Sequence, residues 1–203
     1  MASGIVSPGK YDSLSITYFV DAKNSNNNND GRKLSAAWKT IQKSANNATL
    51  GSTVNIRQGI YNENISVNIT GTDKHPISFI NYQNEEVIID STGTSGTTLL
   101  TVTHKNFLNF KGMTFQNITK NNAQGILITA SPKGKVSNLL FSNIKIKNIN
   151  WNANPSITPS SDDNSQPFIV YGQGIDESTA VINLTVKIVN LSIISRDSVK
   201  WYL

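Results

Sequence analysis

Two lysines one residue apart, Lys145 and Lys147, alternate with Ile144 and Ile146, and that period of two belongs to a half-buried strand. With the isoleucines facing inward, both ammonium groups stand outward on one surface, where they can meet the carboxylates of an acidic ligand. The matching segment thirty-one residues earlier places Thr114 and Gln116 at the equivalent outward positions, so hydrogen-bonding side chains would lie beside the lysines. The following connection, 150–167, is the longest in the chain and carries Trp151, Asp162 and Asp163. Long loops on rigid scaffolds commonly hold sites. A sugar can stack on Trp151 while Lys147 or Lys145 meets its carboxylate, and Asp162 with Asp163 can hold a cation. Each assignment has a structural alternative: solvated lysines, a loop aromatic packed back on the strands, an ordinary acidic turn.

The remaining chemistry-bearing residues are sparse. Asp176-Glu177 is a second, isolated acidic pair, His75 precedes Pro76 and reads as a turn residue, and His104 has no acidic neighbour in sequence. Cysteine is absent, which excludes disulfides and thiolate or Cys-zinc chemistry. Lys and Arg number 18 against 13 Asp and Glu, a formal +5 that favours acidic partners. A uronate polysaccharide suits this better than nucleic acid, because no basic cluster interleaved with aromatics and no recognition motif is present. No apolar run approaches the roughly 20 residues of a membrane span. The first residues lack a charged segment followed by an apolar one, so a signal peptide is either removed or was never there. Six Asn-X-Ser/Thr triplets are what so Asn-, Ser- and Thr-rich a chain produces by chance.

The elements that must position these residues follow from repetition. Leu108-Asn-Phe-Lys-Gly-Met-Thr-Phe-Gln-Asn117-Ile118 and Leu139-Leu-Phe-Ser-Asn-Ile-Lys-Ile-Lys-Asn148-Ile149 share one pattern, and Leu184-Thr-Val-Lys-Ile-Val-Asn-Leu-Ser-Ile193 is a looser third copy. Matched apolar places imply stacked windings that each bury one face against the next. Short strands are expected at 53–57, 65–69 and 77–80 for a first winding, and at 87–90, 98–103 and 107–110 for a second. The third takes 113–117, 126–129 and 139–141, and the fourth takes 144–149, 168–171 and 181–186, with 191–194 opening a fifth. Three strands per turn with Gly, Asn and Ser at the corners describe an all-β, right-handed parallel β-helix of about four coils. Asn117 and Asn148 should share one bend, in left-handed geometry, with their amides bonding along the stack.

Before the strands, residues 15–20 read as a strand and the tract from Asn24 to Gly31 as a loop. Leu34, Trp38, Ile41, Ala45 and Ala48 then recur at helical spacing, which predicts an amphipathic helix that caps the raw end of the stack. Domain organisation is thus 1–50 for strand, Asn-rich loop and capping helix, and 51–203 for the coils, in a single domain. The last residues end inside a coil with no covering segment, so further C-terminal coils or self-association at an open edge are expected.

The order Tyr18-Phe-Val-Asp21, Asp30-Gly31, Trp38-Lys-Thr-Ile-Gln-Lys43, Gly51-Ser-Thr-Val-Asn-Ile-Arg57, Gly59-Ile-Tyr61-Asn-Glu63, Pro76-Ile-Ser-Phe-Ile80 and Val87-Ile-Ile-Asp90 resembles the opening of secreted bacterial right-handed β-helix proteins. These are the pectate lyase and chondroitinase-like polysaccharide lyases and related domains. The resemblance covers 18–90 well and continues more loosely to about 190. It implies a secreted, periplasmic or cell-surface protein engaging an acidic polysaccharide, with β-elimination as the inherited chemistry. Such lyases use a cation, usually Ca²⁺ on several carboxylates, and a Lys or Arg that takes the C5 proton. Lys147 and Lys145 are the residues that would fill the second role. Departures are plain: no outward ladder of three or four acids spans neighbouring coils, so the machinery is incomplete as read. The Gly-His-Gly and Arg-Ile-Lys segments of polygalacturonase-like hydrolases are also missing. A non-catalytic carbohydrate-binding, adhesion or scaffold solenoid is the alternative.

Overall fold

The computed structural model describes residues 15–23, 25–154, 156–158, 160, 163–173 and 176–192. In chain order the strands are β1 (Thr17–Val20), β2 (Thr53–Ile56), β3 (Gly59–Tyr61), β4 (Ile65–Ser66), β5 (Ile77–Asn81), β6 (Val87–Asp90) and β7 (Thr98–Thr103). They continue as β8 (Asn106–Lys111), β9 (Met113–Thr119), β10 (Ala123–Ala130), β11 (Val136–Asn150), β12 (Ser165–Gly172) and β13 (Val181–Ser192). One α-helix, α1 (Ile41–Asn47), precedes β2.

Every ladder between these strands is parallel, and the chain returns to the same face after each winding. The first face runs β1, β2, β5, β8, the front half of β11 and β13. The second runs β3, β6, β9, the rear half of β11 and the end of β13, and the third runs β4, β7, β10 and β12. Parallel strands need a long crossover, and here the other two faces of the winding supply it. The architecture is a parallel β-helix.

Inward side chains stack rung on rung. Val54 pairs with Phe79, Phe79 with Phe110 and Phe110 with Phe141, and the three phenyl rings lie nearly parallel with centroids 5.2 and 4.9 Å apart. On the second face Ile89, Phe115 and Ile146 are neighbours, all buried. Burial contributes roughly 1.5–3 kcal/mol for each such side chain, which is what allows so polar an exterior.

The bends are made where the sequence places asparagine. Asn117 (φ 61°) and Asn148 (φ 53°) are both left-handed, and Asn148 Nδ2 donates to Asn117 Oδ1 at 2.9 Å. The short side chain tolerates αL, and the amide pair replaces bonds that the bend takes from the backbone. Asn138 and Asn183 repeat the arrangement where the chain enters the first face, with Asn183 Nδ2 donating to Asn138 Oδ1 at 3.2 Å.

Two sequence expectations need correction. The helix is shorter than the period predicts: residues 34–36 form a single 3₁₀ turn, and only Ile41–Asn47 is α-helical. Trp38 is extended instead, because its backbone pairs with β1, donating to Phe19 O at 2.9 Å and accepting from Asp21 N at 2.8 Å. Its ring stacks on Tyr18 with centroids 4.6 Å apart, and Nε1 donates to Asn29 O at 2.8 Å, which rules out the open platform a ligand would need. Thr40 then caps α1 by accepting from Lys43 N, and Glu63 accepts from Ile41 N and Gln42 N at 3.0 and 2.8 Å. The second correction is the frame of the windings. Gly59-Ile-Tyr61 is a strand that the pattern hides, being three residues long with Ile60 58% exposed, so 77–81 opens a winding and does not close one. The expected 191–194 strand is described only through Ser192, as the end of β13, and the C-terminal segment expected to leave an open edge lies outside the described residues.

Candidate functional site on the second face

The outward residues of β6, β9 and β11 are brought together by register. Lys145 lies opposite Thr114, Lys147 opposite Gln116, and Gln116 opposite Asp90. Ile144 and Ile146 are fully buried, so alternation turns both lysines outward as their spacing predicts, each half-exposed.

Asp90 anchors this surface. Its Oδ2 accepts from Gln116 Nε2 at 2.8 Å and from Asn117 Nδ2 at 2.7 Å, and its Oδ1 accepts from Thr92 N at 2.8 Å. Burial alone would raise its pKa, yet hydrogen bonds from Thr92, Gln116 and Asn117 outweigh that and hold the carboxyl below the usual range. A depressed native pKa gives stability that is complete above the unfolded value of about 3.9 and lost as pH falls through the folded one. Melting temperature followed from pH 7 to 2 should therefore drop more gently below about pH 4 in Asp90→Asn than in the wild type. Equal acid limbs would remove Asp90 from that role.

Beside Lys145 the surface dips into a polar hollow of about 150 Å³, lined among others by Asn84, Glu86, Thr114, Asn143 and Lys145. Thr114 is buried, so it contributes to the wall of the hollow and is not the open contact the sequence suggests. Glu85 also reaches this hollow but is committed elsewhere: Arg57 Nε donates to Glu85 Oε2 at 2.8 Å, and that bond holds the carboxyl below its ordinary range. Asn84, Glu86 and Asn143 went unnoticed in the sequence because two separate corners supply them, the first giving Asn84 and Glu86 and the second Asn143. Asp90 had a usable signal, since pairing Val87-Ile-Ile-Asp90 against Met113-Thr-Phe-Gln116 puts it next to Gln116.

The 150–165 loop leaves and re-enters the stack at one place. Lys120 N donates to Asn150 O at 2.9 Å, Asn122 N donates to Asn164 O at 3.0 Å, and Asn164 Nδ2 donates to Asn122 Oδ1 at 2.7 Å. Trp151 stands half-exposed at the first foot, four residues past Lys147. Asp163 stands near the second, where its Oδ2 accepts from Ser160 N at 2.9 Å and Ser160 Oγ at 2.7 Å, bonds that hold it below the ordinary carboxylate range. Asp162, its proposed co-ligand, lies outside the described residues. Asp163 thus uses Oδ2 to close a turn, and among the described residues no group of three His, Asp or Glu is placed to hold a metal. The described side chains alone do not supply the six to eight oxygens that Ca²⁺ takes. Asp176 likewise closes a turn through Ser178, and His75 bridges Thr72 within a turn, as its position before Pro76 suggests.

Similarity to known proteins agrees with this geometry. Residues 18–170 match the family described as "Pel9A-like, right handed beta helix region". A curated relative, the uncharacterized protein YwoF of Bacillus subtilis (strain 168), is 29% identical over 140 residues, covering 67% of this chain and 30% of the relative. A GH136 lacto-N-biosidase from Eubacterium ramulus superposes with a TM-score of 0.66 at 18% identity, over 87% of this chain and 34% of that one. A rhamnogalacturonan lyase superposes with a TM-score of 0.51 at 14% identity, over 90% of this chain and 64% of that one. The chain spans about a third of the length of YwoF and of the lacto-N-biosidase. At such low identity the two solved structures speak for the fold. With three-quarters of its length matched by that family, and with the register of its strands in accord, this chain belongs to the Pel9A-like right-handed β-helix proteins.

Proposed function

We propose that this chain is a single-domain, exported β-helix platform of four windings, capped at its start by α1, whose second face engages an acidic, uronate-bearing polysaccharide. The observation that carries the reading is the register placing Lys145 beside Thr114 and Lys147 beside Gln116, two outward cations two residues apart on one strand. The enzyme similar to it in fold that is named rhamnogalacturonan lyase gives the chemistry a precedent on this architecture. In that chemistry a side-chain base, for which Lys147 or Lys145 is the candidate, accepts the proton from C5 of a uronate. The C5–H electron pair forms the C4=C5 double bond, and the C4–O4 bond breaks as O4 takes a proton from solvent and leaves as a hydroxyl. Gln116 borders the bound sugar, the buried Thr114 forms the wall behind it, and Trp151 offers an aromatic face at its flank. No step is routed through Ca²⁺, because the described carboxylates do not form its ligand set.

One measurement decides the central point. The protein is incubated with polygalacturonate, alginate and chondroitin, each with and without Ca²⁺, and the ultraviolet absorbance of the unsaturated product is followed. The lyase reading expects product from at least one polymer and a loss of about 100-fold or more in rate for Lys147→Ala, the scale of general-base removal. An unchanged rate in Lys147→Ala and Lys145→Ala sinks the assignment. Binding without chemistry is the second reading, favoured by the commitment of Asp163 to Ser160. It expects no product, but retention on insoluble pectate that both substitutions weaken.

A further inference from the structure

Three turns carry the chain from the third face back to the first, one on each of three successive windings: 70–76, 103–106 and 130–136. They lie directly on one another. Gly71 N donates to Asn106 O at 2.8 Å, Thr70 Oγ1 donates to the same oxygen at 3.1 Å, and Ser137 Oγ donates to Asn106 Oδ1 at 2.8 Å. His104 Nε2 lies 2.8 Å from Ser131 Oγ. The outer two turns close alike, through bridges between Thr72 and His75 and between Ser131 and Gly134. Little can shift here: a Cβ on Gly71 would come within 2.4 Å of Phe107 O, and one on Gly134 within 3.3 Å of the His104 side chain.

Fixed backbones hold what projects from them in register, at the roughly 4.8 Å rise of a parallel stack. What projects is cationic. Lys74, Lys105, Lys133 and Lys135 stand with His75 and His104 against Asp73, four lysines to one aspartate, a formal +3 beside +5 for the whole chain. Lys74, Lys133 and Lys135 are exposed and Lys105 is half-exposed. Among the described residues none of the four takes part in an ion pair. The next winding ends the row: its 173–180 connection stacks on 130–136 through Gln173 N to Ala130 O and Val136 N to Ala180 O, and carries the exposed Asp176 and Glu177.

We propose that this corner is a docking track for a linear acidic glycan, separate from the Lys145 and Lys147 face. Like charges aligned along the axis repel one another, and a polymer that presents an anion to successive windings relieves that repulsion while releasing its counterions. The exposed side chains of the three turns are Lys, Thr, Asp and Pro, with no exposed aromatic ring on which a nucleobase could stack, so a polysaccharide fits better than a nucleic acid. The corner borders the first and third faces only, so a glycan held here leaves the second face free. The track borrows from the proposed function only its choice of glycan.

The test uses the full chain on heparin-agarose and, by titration, on polygalacturonate oligomers at low salt. A variant with Lys74, Lys105, Lys133 and Lys135 all changed to Gln is compared with a control in which Lys23, Lys33, Lys39 and Lys43 are changed to Gln. Circular dichroism confirms that both fold. The track expects the corner variant to elute at markedly lower salt, to lose roughly tenfold or more in polygalacturonate affinity, and to show a flatter salt dependence, with the control near wild type. Equal losses in both variants, no loss in the corner variant, no wild-type retention, or displacement from heparin by duplex DNA more readily than by polygalacturonate overturns it. Failure of the second-face reading reads differently: heparin retention that depends on the corner persists while no product forms and Lys145 and Lys147 substitutions change nothing.

Discussion

Phe141→Ala is expected to lower the unfolding free energy by about 3–5 kcal/mol, read as a fall in urea midpoint at constant slope. The side chain is fully buried, stacked on Phe110 at 4.9 Å and met edge-on by Phe168 at 5.4 Å. Neighbours on both sides are tied into parallel ladders and cannot close over the void, so the lost contacts are not recovered. Ile60→Ala, on a side chain 58% exposed, serves as the control and should change stability by less than about 0.5 kcal/mol. A loss under about 1 kcal/mol for Phe141→Ala would mean that the phenyl column does not support the stack.

Gly125→Ala should be nearly as damaging although it adds a single methyl group. The added carbon would sit 2.3 Å from the Pro167 carbonyl oxygen and 3.1 Å from Ile146 Cγ2. The first of these is backbone of the next winding, so β10 and β12 must separate before the carbon fits. Their register already passes over this position, from Gln124 with Gln166 to Ile126 with Phe168. A cost of roughly 2–3 kcal/mol is expected, in the upper range for overpacking. Because each winding touches only its neighbours, hydrogen exchange should quicken in β10 and β12 and stay slow in β1 and β2. Uniform loss of protection across the chain would contradict that locality.

The strands were readable because their signal is local: an alternation such as Ile144-Lys-Ile-Lys147 dictates which side chains enter the core, and the matched copy at 113–117 dictates the pairing. The asparagine bends were readable for a related reason, since few residues other than glycine accept φ near +55°. What misled was periodicity without pairing information. Leu34 and Trp38 fall on a helical stripe, yet the Trp38 backbone satisfies the edge of β1, and a tertiary ladder outweighs a few tenths of a kcal/mol of helix propensity.

The candidate site divides along the same line. Lys145, Lys147 and Gln116 were placed by strand arithmetic, but the burial of Thr114 depends on how the walls of the hollow close, which alternation does not specify. Asp163 looked like half of a cation site because adjacent acids are common ligands, whereas a Ser three residues before an Asp is equally a turn-closing pair. The basic corner escaped notice because its lysines come from turns that are about thirty residues apart in sequence and adjacent only after coiling.

The two feet of the 150–165 excursion are pinned to the same short turn at 119–123, through Lys120, Asn122 and Asn164. Because entry and exit are fixed side by side, the span between them closes on itself and transmits little tension to the strands beneath. Such a segment can be lengthened, shortened or exchanged for another at small thermodynamic penalty, since closure entropy grows only with the logarithm of length. Changes of length or content at that one address would therefore leave the stacked ladders beneath it unaltered.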